Sequence, residues 1–108
     1  MKGHTMQWEN EIVKENKVKF DISIWEQENI VWLNNFIIPT NKRKNHLGST
    51  IMKEFVQWLD ENHYNSKLLI ANCYGTPEEV LQKFYGNFGY NIVEKVKNNT
   101  YLIRNCQK

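Results

Sequence analysis

Hydrophobic and polar positions divide the chain into short strands around two amphipathic helices. From Lys17 to Glu26 the residues alternate, with Val18, Phe20, Ile22 and Ile24 on one side and Lys19, Asp21 and Ser23 on the other; Trp25 breaks the polar side. A period of two predicts a half-buried strand. After the polar connector Gln27–Asn29, Ile30–Ile38 is a more continuously apolar run with Asn34 and Asn35 in its middle, which reads as a central strand. Pro39 cannot donate to a ladder, so pairing should loosen there. Upstream, Glu11–Glu15 reads as a short strand turned by Glu15-Asn16, and residues 1–6 as a flexible polar lead.

After Gly48 the period becomes helical. Ile51, Met52, Phe55, Val56 and Leu59 form an apolar stripe while Lys53, Glu54, Gln57 and Asp60 face away, predicting a helix from near Ser49 to near Asn62. Lys67–Tyr74 is a compact apolar run that reads as a buried strand. Thr76-Pro77-Glu78-Glu79 then combines an N-cap threonine, a proline at the first helical position and a capping-box glutamate. This predicts a helix from Pro77, with Val80, Leu81, Phe84, Tyr85 and Phe88 as its stripe and Gly89 as its left-handed close. Tyr90–Lys97 and Thr100–Asn105 follow as strands joined at Asn98-Asn99, a pair that tolerates a tight turn. The order β-β-β-α-β-α-β-β gives an α/β fold, a twisted mixed sheet of about six strands with two main helices.

Composition narrows the class. With 108 residues, 41% hydrophobic and 24% charged, the chain suits one domain over residues 1–108. A net charge of +2 and a pI near 8.5 supply no broad field for nucleic acid or a membrane surface, so any anion site must be local. Cys73 and Cys106 form no CxxC pair and have no histidine spacing for zinc, so neither a disulfide framework nor a metal is expected. No apolar run approaches the roughly 20 residues that span a bilayer, and the N-terminus lacks the apolar core of a signal peptide. A cytoplasmic protein without a membrane partner is the expectation, and an exposed edge strand leaves room for a homodimer.

Ile37–Thr50 is the stretch with candidate chemistry, because a strand end runs through a basic turn straight into a helix. Unpaired N–H groups and the positive end of the helix dipole make such a junction an anion cradle. Within it, Arg43-Lys44-Asn45-His46-Leu47-Gly48 resembles the R-x-x-G-x-G pyrophosphate loop of the GNAT superfamily of N-acetyltransferases, and Tyr85-Gly86-Asn87-Phe88-Gly89-Tyr90 is similar to that family's Y-x-x-x-G-F segment. The resemblance covers roughly residues 30–104 and implies a small member, with little room for the family's first strand and first two helices.

What the resemblance implies is an acetyl-CoA-dependent transferase acting on an amine by direct attack, with acetyl-CoA and an amine acceptor, small molecule or protein, as partners. It places Phe36 and Ile38 along the donor, backbone N–H groups from Arg43, Lys44, Asn45, His46, Leu47, Gly48 and Ser49 on the pyrophosphate, and Tyr85 as general acid to the leaving thiolate. The strand N–H of Phe36 would meet the oxyanion. An aspartate at Gly48 should place a carboxylate against the pyrophosphate. Two departures stand out: His46 replaces the loop's first glycine, and Ile30–Pro39 contains no acid, which leaves Glu26 and Glu28 as candidates for the base. These departures also suit an inactive CoA-binding or protein-interaction module of the same fold. Binding of nucleic acid or a phosphoprotein through Lys42–Lys44 is a third reading, disfavoured by the charge. Trp25 and Trp32 could line an acceptor pocket; Cys73 reads as core, and His4 and His63 have no partner in spacing.

Overall fold

The computed structural model describes residues 4–39, 46–70, 78–96 and 99–107. Its elements are β1 (His4–Gln7), α1 (Glu11–Glu15), β2 (Lys19–Trp25), β3 (Ile30–Ile37), α2 (Leu47–Glu61), β4 (Asn65–Ile70), α3 (Glu78–Gly86), β5 (Asn91–Val96) and β6 (Asn99–Arg104). Six strands form one mixed sheet in the order β1-β2-β3-β4-β6-β5. β1, β2 and β3 pair antiparallel, β3 and β4 pair parallel across the α2 crossover, and β6 runs antiparallel to both β4 and β5. The expected α/β architecture, with about six strands and two main helices, is present.

The two departures in element type lie before β2. Glu11–Glu15 is a one-turn helix, because Asn10 stands extended before it and its Oδ1 accepts the Val13 N–H at 2.8 Å. Glu11 in the first turn and Lys14 in the last both suit the helix dipole, and Val13 is buried. The segment read as a flexible lead contributes its end to β1, which pairs from His4↔Ile24 to Gln7↔Asp21. The helix expected near Ser49 begins two residues earlier, at Leu47.

One face of the sheet builds the core. Phe20, Ile22, Val31, Leu33, Leu68, Ile70 and Leu102 meet Ile51, Met52, Phe55 and Leu59 of α2, all buried. Phe20 and Phe55 pack edge-on at 4.7 Å between centroids, and Trp8 meets both at 5.1 and 5.2 Å. Across the C-terminal half, Arg104 makes a buried fork to Asp60 at the end of α2, with bonds of 2.8 and 3.0 Å, while its Nε donates to the Phe88 carbonyl at 2.6 Å. Satisfying the guanidinium on three sides offsets the desolvation cost of burying it. Gly89, at φ 95°, turns the chain against this arginine, where a Cβ would sit 3.2 Å from Nε. Among the described residues, no helix covers the opposite face and no helix is long and apolar enough to cross a membrane.

Candidate active site

The sheet opens between its two central strands. β3 and β4 pair from Ile30↔Asn65 to Leu33↔Leu68 and then separate. Beyond that point β3 stays with β2 as far as Lys19↔Ile37, and β4 stays with β6 as far as Ile70↔Thr100. Among the described residues, the backbone edge of Asn34–Ile37 that faces away from β2 therefore has no strand against it, which leaves a cleft between β3 and β4.

A β-bulge marks this parting. The β2–β3 register steps from Ile22↔Leu33 to Asp21↔Asn35, so Asn34 is the extra residue. A bulge bends its strand and increases local twist, which accounts for β3 leaving β4 here. It also resets the alternation: Val31 and Leu33 face α2 before it, and Phe36 and Ile38 pack on the same core after it. Phe36 lies 4.9 Å from Phe20 between ring centroids. Phe36 and Ile38 therefore turn their side chains toward the core, and the Phe36 backbone borders the parting. Both asparagines reach across the uncovered face, Asn34 Nδ2 donating to Ser23 Oγ at 2.6 Å and Asn35 Nδ2 to Asp21 Oδ2 at 3.1 Å.

From the end of β3 the chain leads to the start of α2. His46 is the N-cap residue and adopts φ 55°, ψ 26°, the left-handed conformation that glycine takes most cheaply. Its φ is thus positive, one of the two alternatives left open by a histidine at this place. Among the described residues the N–H groups of Leu47, Gly48 and Ser49 have no partner, since the first helical bond of α2 runs from Thr50 N–H to the His46 carbonyl at 3.1 Å. No acidic residue occupies this first turn, so no side-chain charge compensates the dipole's positive end. Arg43, Lys44 and Asn45 lie outside the described residues, as do Lys42, Cys73, Thr76 and Pro77.

Gly48 has a second role that spacing alone does not reveal. A Cβ there would come within 3.3 Å of Ile38 Cδ1 and 3.5 Å of Phe84 Cζ. Any side chain at this position would press on an apolar junction. The same junction joins the end of β3, the start of α2 and α3, and sets Gly48 beside the residue that precedes Tyr85.

Tyr85 follows Phe84 on α3, and its ring stands edge-on to Phe84 and Tyr90 at 5.1 and 5.8 Å. Burial pushes its phenol up from 10.0 to about 12, so the hydroxyl is protonated throughout the neutral range. That hydroxyl has no hydrogen-bond partner among the described residues and has a proton to give. Tyr90, by contrast, spends its hydroxyl on Ser66 Oγ at 2.7 Å within the core.

Glu26 and Glu28 sit in the β2–β3 turn beyond Trp25↔Ile30, at the opposite end of the hairpin from the parting. Trp32 lies on the uncovered face, 6.3 Å from the Tyr101 ring and with Lys67 Nζ 5.3 Å above its own. A depression of about 500 Å³ between α3 and β5, lined by Glu79, Lys83, Tyr90 and Ile92 among others, lies apart from the cleft. Among the described residues no group of histidine, cysteine and carboxylate side chains could hold a metal.

No family model and no curated protein matches this chain by sequence. Solved structures do match by shape. The PaiA N-acetyltransferase of Thermoplasma acidophilum, determined with coenzyme A, superposes with a TM-score of 0.64 at 12% identity over 82% of this chain and 52% of its own. An acetyltransferase of Thermus thermophilus gives 0.64 at 16% identity over 82% and 55%. ElaA of Escherichia coli gives 0.59 at 16% identity over 81% and 59%. The fold is that of the GNAT acetyltransferases, and the chain spans between half and three-fifths of the length of these structures.

Proposed function

We propose that the protein transfers an acetyl group from acetyl-CoA to an amine by direct attack. The observation that carries this reading is the parting of β3 from β4 at the Asn34 bulge, together with an α2 N-terminus whose first N–H groups have no partner among the described residues and whose first turn has no acid. Fold likeness to acyl-CoA-dependent transferases supports it, as does a protonated tyrosine on the helix packed against Gly48.

In this reading the open backbone of Asn34–Ile37 pairs with the pantetheine amides of acetyl-CoA. Leu47, Gly48 and Ser49 N–H groups, with His46 holding the turn, receive the pyrophosphate, and Arg43, Lys44 and Asn45 precede them in sequence. The Phe36 N–H donates to the carbonyl oxygen as it gains negative charge. Tyr85 protonates the departing sulfur. The acceptor is an amine of a small molecule or a protein, and the reaction is cytoplasmic. A CoA-binding module without turnover is the second reading, favoured by the absence of any carboxylate on β3.

Thioester consumption with a panel of amines tests this reading. Tyr85→Phe should lower kcat about 100-fold while the affinity for acetyl-CoA changes less than twofold. Equal loss of both would make Tyr85 a packing residue. Saturable acetyl-CoA binding without turnover on any amine would leave the module reading in its place.

A further inference from the structure

An amine with an ordinary ammonium pKa arrives protonated at neutral pH, and its nitrogen can attack only after losing a proton. Something near the cleft must accept it. β3 carries no acid, and Glu26 and Glu28 are at the far end of the hairpin. Of the strands β1, β2, β3, β4 and β6, only β2 contains a carboxylate, and that is Asp21.

Its placement is specific. Asp21 lies across from Asn35, the residue just past the bulge and next to Phe36. Its Oδ2 accepts from Asn35 Nδ2 at 3.1 Å and faces Lys19 Nζ at 3.8 Å. Its Oδ1 has no partner among the described residues, and the side chain keeps 25% of its exposure. One oxygen is thus anchored on the strand that borders the cleft while the other stays available. From β1 the neighbour is Gln7 and from β3 Asn35, both uncharged, so among the described residues Lys19 on the same strand is the one charged group paired with it.

We infer that Asp21 is the proton acceptor for the attacking amine, a role that rests on the acetyl-transfer reading. Its carboxylate takes one proton from R–NH3+, and the freed lone pair forms the C–N bond to the thioester carbon. As the C–S bond breaks, its electron pair leaves on sulfur, which takes the Tyr85 hydroxyl proton. The surplus proton on nitrogen returns to the Tyr85 phenolate through water, and Asp21 releases its own to solvent. The products are the amide, the CoA thiol and one proton. The substrate class is a protonated primary amine, drawn to the one carboxylate beside the cleft.

The test is Asp21→Asn, isosteric and part-exposed, in the full chain, with kcat/KM for the most active amine followed from pH 6.5 to 9.5. Near pH 7 the loss should be about 100-fold, narrowing as pH rises and free amine accumulates, with acetyl-CoA affinity unchanged. Asp21→Glu, which keeps the carboxylate, should retain the wild-type shape of the pH profile. A loss that stays constant with pH, or no loss, overturns the assignment and leaves Asp21 as a brace for the bulge. Wild-type protein that neither binds nor consumes acetyl-CoA overturns the acetyl-transfer reading itself, and the Asp21 role with it.

Discussion

Two helices with similar apolar stripes have different fates. On α2, Ile51, Met52, Phe55 and Leu59 are fully buried; on α3 no residue is, and Val80 stays 55% exposed. Position in the sheet explains the contrast. α2 crosses between β3 and β4 at the centre, so strands lie beneath it on both sides and Trp8 and Trp58 close around Phe55. α3 leads from β4 toward the edge strand β5, whose residues are all exposed, and meets the core through the partly buried Leu81, Phe84 and Tyr85, with Glu78 accepting from Thr100 Oγ1 at 2.8 Å. An apolar stripe shows which side of a helix turns inward, while location in the sheet decides how deeply. The scaffold therefore rests on the body of α2, and the candidate chemistry sits where packing is lighter, at the start of α2 and on α3.

The sharpest way to break this contrast is Phe55→Ala. Removing a ring that touches Trp8, Phe20 and Trp58 should cost about 3–5 kcal/mol in denaturant unfolding. A loss below about 1 kcal/mol would mean that α2 is not the keystone.

Next in size is an alkaline effect on α3. Below pH 10 both folded and unfolded chains keep the Tyr85 proton, so its stabilising contribution is intact. Between pH 10 and about 12 the unfolded chain loses that proton first, and stability should fall by about 2–3 kcal/mol. Tyr85→Phe should flatten this slope in part. A remainder is expected from Tyr90, whose pKa burial also raises, against the lowering effects of its Ser66 bond and of Arg104. An unchanged slope in the variant would place Tyr85 in water.

Gly48→Val probes the point where both regions meet. Its branches would press on Ile38 and Phe84 and should cost about 1–3 kcal/mol, with donor affinity reduced through the displaced turn. Full stability would mean that α3 yields freely at that junction. Smallest of all, Val80→Ala on the outer side of α3 should change stability by less than about 0.5 kcal/mol. A larger loss would erase the contrast between the helices.

Much of this was legible in the residues. Alternation gave β2, the helical stripes gave α2 and α3, and Asn99 opens β6 opposite Val96, while Asn98 lies outside the described residues. The helix Glu11–Glu15 escaped because one turn is too short to display a period; the usable signal was Asn10 followed by Glu11, with Lys14 near the end. β1 escaped because HTMQ has no apolar pattern of its own and exists through pairing with β2. The bulge was written as a shift of parity, from Val31 and Leu33 to Phe36 and Ile38 across two asparagines. At the site, the sequence carried the residue types but not their directions. His46 adopts a left-handed backbone and Gly48 serves packing, neither of which spacing can express. Asp21 looked like one polar residue on an alternating strand until register placed it beside Asn35.

The central claim is that the opened edge of β3 and the start of α2 together receive a CoA donor. Titrating coenzyme A into isotopically labelled protein and following backbone amides by NMR tests it most directly. The account predicts saturable shifts concentrated at Asn34–Ile38 and His46–Ser49, with smaller ones at Tyr85. Shifts centred instead on the depression around Glu79, Lys83 and Ile92, or none at millimolar coenzyme A, would contradict it.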